Sequence, residues 1–353
     1  MTRRIEYIDA MRGLAMIMVV IGHFFSLSFH YYNPLFLNIN ATLQLPLFFM
    51  ISGFFAPHML KESFMKAVWD KFSRLIIPAI LMFSMFVWIF NLNYVKGFYD
   101  PLKYGYWFTF VMFGYTIIYI LVSRFTKVLG LSNKTSTCIH LISGVLITYI
   151  GLGADGLCTE LPTLDLFSVV LYNYYFYYVL GAVLFAKKRF IINLLCNKRL
   201  LGGGVVFYSI GQIALAKYGT YSLRYGAGIT NICIVSVALL IIWKLFDSYP
   251  QLSKTSAIGR FFTLVGRRSL DVYFIHYFFI PKDLSSWGIY FQSIDGVFIS
   301  YLCAIILSIP LIYASLGVGY ILRLSPITSK LLLGISNKKP TAVNTPIANN
   351  ENN

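Results

Sequence analysis

In the run MRGLAMIMVVIGHFF, Arg12 is followed eleven residues later by His23. Eleven steps of a 3.6-residue helix end about 20° past three full turns and climb about 16 Å, so both side chains leave one face at different depths. Everything between them is apolar or glycine, which sets His23 deep inside a hydrophobic helix. An ionisable group there is costly and usually faces a cavity or pathway. Imidazole is also the side chain most easily poised to take a proton near neutral pH, as a base for a hydroxyl attacking a thioester would have to do. The alternative is a histidine that bridges two helices by a hydrogen bond.

Three residues before Arg12 stands Asp9, a spacing that pairs the two on one helix face and makes Asp9 a positioning residue, or simply the anchor of the helix end. In KESFMKAVWDKFSRLIIP, Lys61, Lys66, Lys71 and Arg74 gather before Pro78. Arg74 opens the next apolar run, where its planar fork suits a phosphate, and Lys71 beside it could share that anion. Near the other end, FTLVGRRSLDVYFIHYFF contains Asp271, Tyr273 and His276. Tyr273 and His276 are neighbours at a spacing of three on a helix, and His276 could line the same cavity as His23. LQLPLFFMISGFF contains Pro46 and the small pair Ser52 and Gly53, which fit close helix packing; Ser52 is also a candidate for substrate contact. His30, His58 and His140 lack comparable company and read as loop or packing residues.

The elements that must hold these residues are membrane helices. The chain has 353 residues, of which 58% are hydrophobic and only 12% charged, against roughly a quarter charged in soluble domains. Ten stretches approach the roughly 20 apolar residues a span needs: 11–29, 42–60, 75–92, 106–123, 138–152, 165–185, 203–216, 227–246, 261–281 and 294–322. The expected fold is an all-α polytopic bundle of about ten helices. Net charge is +16, which in a soluble protein would suggest nucleic acid. Here the cations sit in alternate short connections, and all but Lys96, Lys103, Lys217, Arg224 and Lys282 fall on one side if both termini are cytoplasmic. The five cysteines are scattered singly, which implies neither a disulfide framework nor a metal site. Residues 1–324 form the membrane domain, and 325–353, ending TAVNTPIANNENN, read as a disordered cytoplasmic tail.

IEYIDAMRGLAMIMVVIGH, PLFFMISGFF, KFSRLIIP and VGRRSLDVYFIH together resemble the acyltransferase-3 family of integral membrane acyltransferases, mostly bacterial. The resemblance implies transfer of an acyl group, commonly acetyl, from acetyl-CoA or another acyl-CoA on the cytoplasmic side to a sugar hydroxyl of an envelope polysaccharide or lipid-linked glycan, with no metal. It carries over Arg12 and His23 as essential residues and matches Arg74 to a loop arginine. One departure is Asp70, where relatives often have an arginine four residues before Arg74. The rival functions are a carrier or flippase for a sugar or acylated glycan, and an assembly partner without chemistry. The enzymatic reading requires the His23 ring to be reachable from the cytosol through the positively charged entrance.

Overall fold

The computed structural model describes residues 5–31, 33–160, 168–218 and 229–335. They form helices, with no strand among them. Seven of these helical runs are long and apolar enough to cross a membrane, and they correspond to seven of the ten expected stretches. Large apolar side chains such as Trp88, Val128 and Phe298 point outward, as lipid-facing residues do. The chain is therefore a multi-pass membrane protein.

At the centre lies α1 (Glu6–His23), apolar nearly all round and buried on most of its surface, the signature of an interior helix. Directly after His23 it widens into a π-helical turn, Phe24–Phe29. α2 (Pro34–Phe54) packs along it. The third run is continuous from Phe64 to Ile89 as α3 (Phe64–Lys71), a second π-helical turn (Phe72–Ile76) and α4 (Ile77–Ile89). Arg74 therefore sits inside a helix rather than opening one. π-turns of this kind concentrate at functional positions, and here one follows His23 and the other contains Arg74.

The short α5 (Tyr94–Tyr99) leads to α6 (Trp107–Val128), α7 (Asn133–Glu160), α8 (Tyr175–Leu195), α9 (Lys198–Tyr218) and α10 (Ile229–Ser248). The expected sixth span, 165–185, begins partly outside the described residues, and its helix runs on to Leu195. Cys158 lies within the range of α7, but its side chain is outside the described residues. The expected ninth span, 261–281, is not one helix. It breaks at Arg268 (φ −118°, ψ 18°) into α11 (Ala257–Arg267) and α12 (Ser269–Ile275), followed by a 3₁₀ turn at His276–Phe278. Last come α13 (Ser285–Ser293), α14 (Val297–Arg323) and α15 (Pro326–Leu333).

Two glycine-mediated crossings fix α1 and α2. A Cβ at Gly13 would lie 1.8 Å from the Phe262 carbonyl oxygen, and one at Gly266 would lie 1.6 Å from that of Asp9, so α1 and α11 touch backbone to backbone. Gly53 against the Tyr178 carbonyl and Gly181 against that of Met50 do the same for α2 and α8. The tail expected to be without structure from residue 325 instead begins with α15, which packs against α4. Pro78 cannot donate to the Arg74 carbonyl four residues earlier, and that oxygen meets the left-handed cap Gly334. Residues 336–353 lie outside the described residues.

Candidate active site

His23 lines a cavity of about 1030 Å³ between α1, α2, the loop before α6 and the α12 segment. Its Nε2 is 2.9 Å from the hydroxyl of Tyr277, which lies on the 3₁₀ turn after α12 and also lines the cavity. The same hydroxyl reaches the Gly105 carbonyl at 3.4 Å. Tyr277 has one proton for these two partners. With the proton toward Gly105, its oxygen receives Nε2–H from His23 and leaves Nδ1 with a lone pair; with the proton toward Nε2, Nδ1 carries the hydrogen. Nδ1 has no hydrogen-bond partner among the described residues and is not among the sealed polar atoms.

The Gly105 carbonyl is held in place by an unusual turn. Lys103, Tyr104 and Gly105 have φ of 46°, 48° and 106° in succession, a conformation that side chains resist. What maintains it is the ammonium of Lys103, a residue only 1% exposed, which donates to the carbonyls of Phe98 (2.8 Å) and Asp100 (3.3 Å) and lies over the Phe98 and Phe110 rings. The Tyr273 hydroxyl also donates to Gly105, at 3.1 Å. Tyr273 lines the cavity. His276 does not. Fully buried behind His23, with ring centroids 5.3 Å apart, it is bound through Nδ1 to the carbonyls of Val272 and Tyr273. That donation fixes its tautomer, and it supports the ring of its neighbour Tyr277, 4.0 Å away between centroids.

Arg12 lies three turns below His23 and outside the cavity, whose lining descends α1 only to Met16. The expected passage from the positive entrance to His23 is thus not part of this cavity. Opposite Arg12, Lys71 and Arg74 of the third run come close enough for the three cations to act on one another. Asp9 is buried between Arg12 (3.8 Å) and Arg267 (3.5 Å) and does not line this cavity. Glu6 pairs with Lys254 and Arg267, and Asp271 takes Arg323 through two bonds of 2.6 and 2.8 Å. Ser52 lies eight residues beyond Gln44 on α2 and does not line the cavity.

The structure brings His30, set aside in the sequence, into the cavity wall, while His58 packs on Phe185 and His140 on Tyr119. It adds Tyr277, Asn40, Gln44, Asp100 and Lys282 to the lining. Only Tyr277 had a signal, its place beside His276 in IHYFF.

The site thus combines an imidazole in a cavity wall, bonded to a tyrosine hydroxyl, with a separate cation cluster three turns away along α1. The sequence model of a family described as an acyltransferase domain matches residues 5–315, nearly the whole chain and every element of the site. The chain belongs to the acyltransferase-3 family. No match was found among the curated proteins or the solved structures. As a member of this family it is a membrane acyltransferase, and the match covers α1 through most of α14, including the break between α11 and α12 that delivers Tyr277 to His23.

Proposed function

We propose that this acyltransferase moves an acyl group, acetyl in the simplest case, from a cytoplasmic acyl-CoA to a sugar hydroxyl of an envelope polysaccharide or lipid-linked glycan in the bacterial cytoplasmic membrane. The observation that carries the reading is His23 in the wall of a large cavity, bonded to Tyr277, three turns from Arg12 and its cationic neighbours. Retention of cations on the cytoplasmic side puts the Arg12 end inside. The cavity, whose far lining includes Asp100 and Lys282, then takes the acceptor at the opposite end.

In this mechanism Arg74 and Lys71 hold the phosphates of the donor, and Arg12 aligns the arm that carries the thioester. The carbon–sulfur bond breaks and a carbon–oxygen bond forms at the acceptor. The hydroxyl proton passes to His23 and from there to the departing thiolate. His23 either removes that proton directly or first carries the acyl group on nitrogen and then releases it to the hydroxyl. Tyr277 follows either course by shifting its hydrogen between Nε2 and Gly105.

Proton NMR of the purified glycan from cells with and without the protein tests the reaction. Ester signals appear with the wild type and fall at least about a thousandfold with His23→Ala, the scale of losing a base or nucleophile. Wild-type ester levels from a membrane-inserted His23→Ala protein would remove the proposal. Glycan delivered across the membrane without ester would identify a carrier instead.

A further inference from the structure

Between α1 and α2, immediately beside His23, two side-chain amides form a unit that the mechanism above leaves unused. Asn40 is 2% exposed. Its Nδ2 donates to the Met18 carbonyl at 3.1 Å and to Gln44 Oε1 at 2.9 Å, so both of its hydrogens are engaged. Since both partners are acceptors, the orientation of the amide is fixed, and Oδ1 is left buried without a hydrogen-bond partner among the described residues. Gln44 has given its oxygen to Asn40, which leaves the two hydrogens of Nε2 without a bond. Both residues line the cavity.

The pair sits in the space that Gly22 leaves open. A Cβ at that glycine would be 2.7 Å from Asn40 Nδ2 and 3.1 Å from Gln44 Oε1. Any other residue before His23 would push the amides aside.

We infer that Gln44, oriented by Asn40, reads the acceptor: Gln44 Nε2 donates to the oxygen of a hydroxyl next to the one acylated at His23. This rests on the acyl-transfer reading above. With Gln44 Oε1 taken by Asn40, the pair offers the cavity the donors of Gln44 Nε2, and a sugar hydroxyl oxygen is an acceptor that suits them. Both members are neutral, so the element can sit at the depth of His23 without the cost of a buried ion. A Gln44 Nε2 donor left unpaired once water is excluded also penalises ligands that lack the matching oxygen. Selection for a hydroxyl against its absence is therefore far stronger than an apolar pocket achieves. The ligand class is an uncharged polyhydroxylated ring, with neighbouring hydroxyls on the part that enters.

The experiment compares wild type, Asn40→Ala and Gln44→Leu as full-length proteins. Gln44→Leu keeps the side-chain volume and leaves the Asn40 clamp on Met18 in place. Ester on the isolated glycan is quantified and positioned by NMR, and acetyl-CoA binding to each purified protein is measured by calorimetry. The expected result is a loss of ester of at least about tenfold in both variants, the value of one hydrogen bond. The remaining ester spreads over more than one hydroxyl, while the acetyl-CoA dissociation constant stays within about twofold. Wild-type yield and position in Gln44→Leu would overturn the inference. So would an equal loss of ester and of donor binding in both variants, which would make the pair a clamp only. A wild-type protein that neither binds acetyl-CoA nor adds ester would instead defeat the acyl-transfer reading itself.

Discussion

The two ends of α1 stabilise polar chemistry by opposite means. Around Arg12 the polar groups are ions arranged in pairs and triples: Asp9 between Arg12 and Arg267, Glu6 between Lys254 and Arg267, Asp271 gripped by Arg323. Most of these cations keep a quarter or more of their side chain exposed. The polar groups nearest His23 are neutral, a tyrosine hydroxyl, two amides and a backbone carbonyl, while the charges of Asp100, Lys103 and Lys282 belong to the loops beyond them. A charge at the edge of a bundle keeps much of its hydration, whereas in the interior the same charge has to be matched by a partner or neutralised. The fold therefore concentrates binding charge at one end and leaves proton chemistry to uncharged groups at depth.

The sharpest way to break this division is at Asp271, which belongs to the ionic end by its partners and to the cavity by its helix. Only 1% exposed, it anchors α12, whose next turn and a half delivers Tyr273, His276 and Tyr277. Asp271→Asn strands Arg323 and Arg268 against each other and should cost about 3–5 kcal/mol, as removing one member of a buried pair does. A fall in Tm together with loss of ester is the expected result. Unchanged Tm would mean that the two ends are independent.

A smaller effect follows from the turn that presents Gly105. Gly105→Ala meets a φ of 106° and places its Cβ 2.2 Å from the Tyr277 ring. The strain is on the order of 1–3 kcal/mol, and the ring it displaces is the one bonded to His23. Activity should drop about 30- to 100-fold while the ion pairs at the other end hold the bundle together. A variant with full activity would show that Tyr277 does not need this seat.

Tyr277→Phe removes the hydroxyl and keeps the ring. Loss of one neutral hydrogen bond is worth about 1–1.5 kcal/mol, roughly tenfold in kcat. The KM for the donor should not move, because the proposed mechanism places its phosphates at the far end. A change in KM alone would assign Tyr277 to binding.

Much of this division was legible in the sequence, and its failures have physical causes. The Arg12 to His23 spacing survives because a helix converts residue number into depth and direction. Seven spans were found because apolar length is what a bilayer demands. The break at Arg268 was hidden because VGRRSLDVYFIH is apolar on both sides of it, and hydropathy averages over a kink. Tyr277 did not stand out in a chain with 26 tyrosines and 31 phenylalanines, and its partner lies 254 residues away. Asn40 and Gln44 fell at the expected start of the second span, where polar residues read as the end of the membrane rather than as part of a site. The tail from Ser325 looked too polar to fold alone. α15 is not on its own in the fold: it packs against α4, and its cap Gly334 lies against the Arg74 carbonyl.

The mildest test acts on the ionic end alone. Lys71 lies close enough to Arg12 and Arg74 for their charges to oppose its own. Lys71→Gln relieves that repulsion and, on the proposed mechanism, removes one of two attractions on the donor phosphates. Stability should rise slightly or stay constant, while the KM for acetyl-CoA rises about three- to fivefold, on the order of 1 kcal/mol for a partly hydrated charge contact. Added salt should shrink that difference, because screening acts on exposed charges within about 10 Å at 0.1 M. At the cavity end, kcat should be insensitive to both the substitution and the salt. A kcat that followed ionic strength would mean that the cations act on the transferring group itself, and the separation of binding from chemistry along α1 would fail.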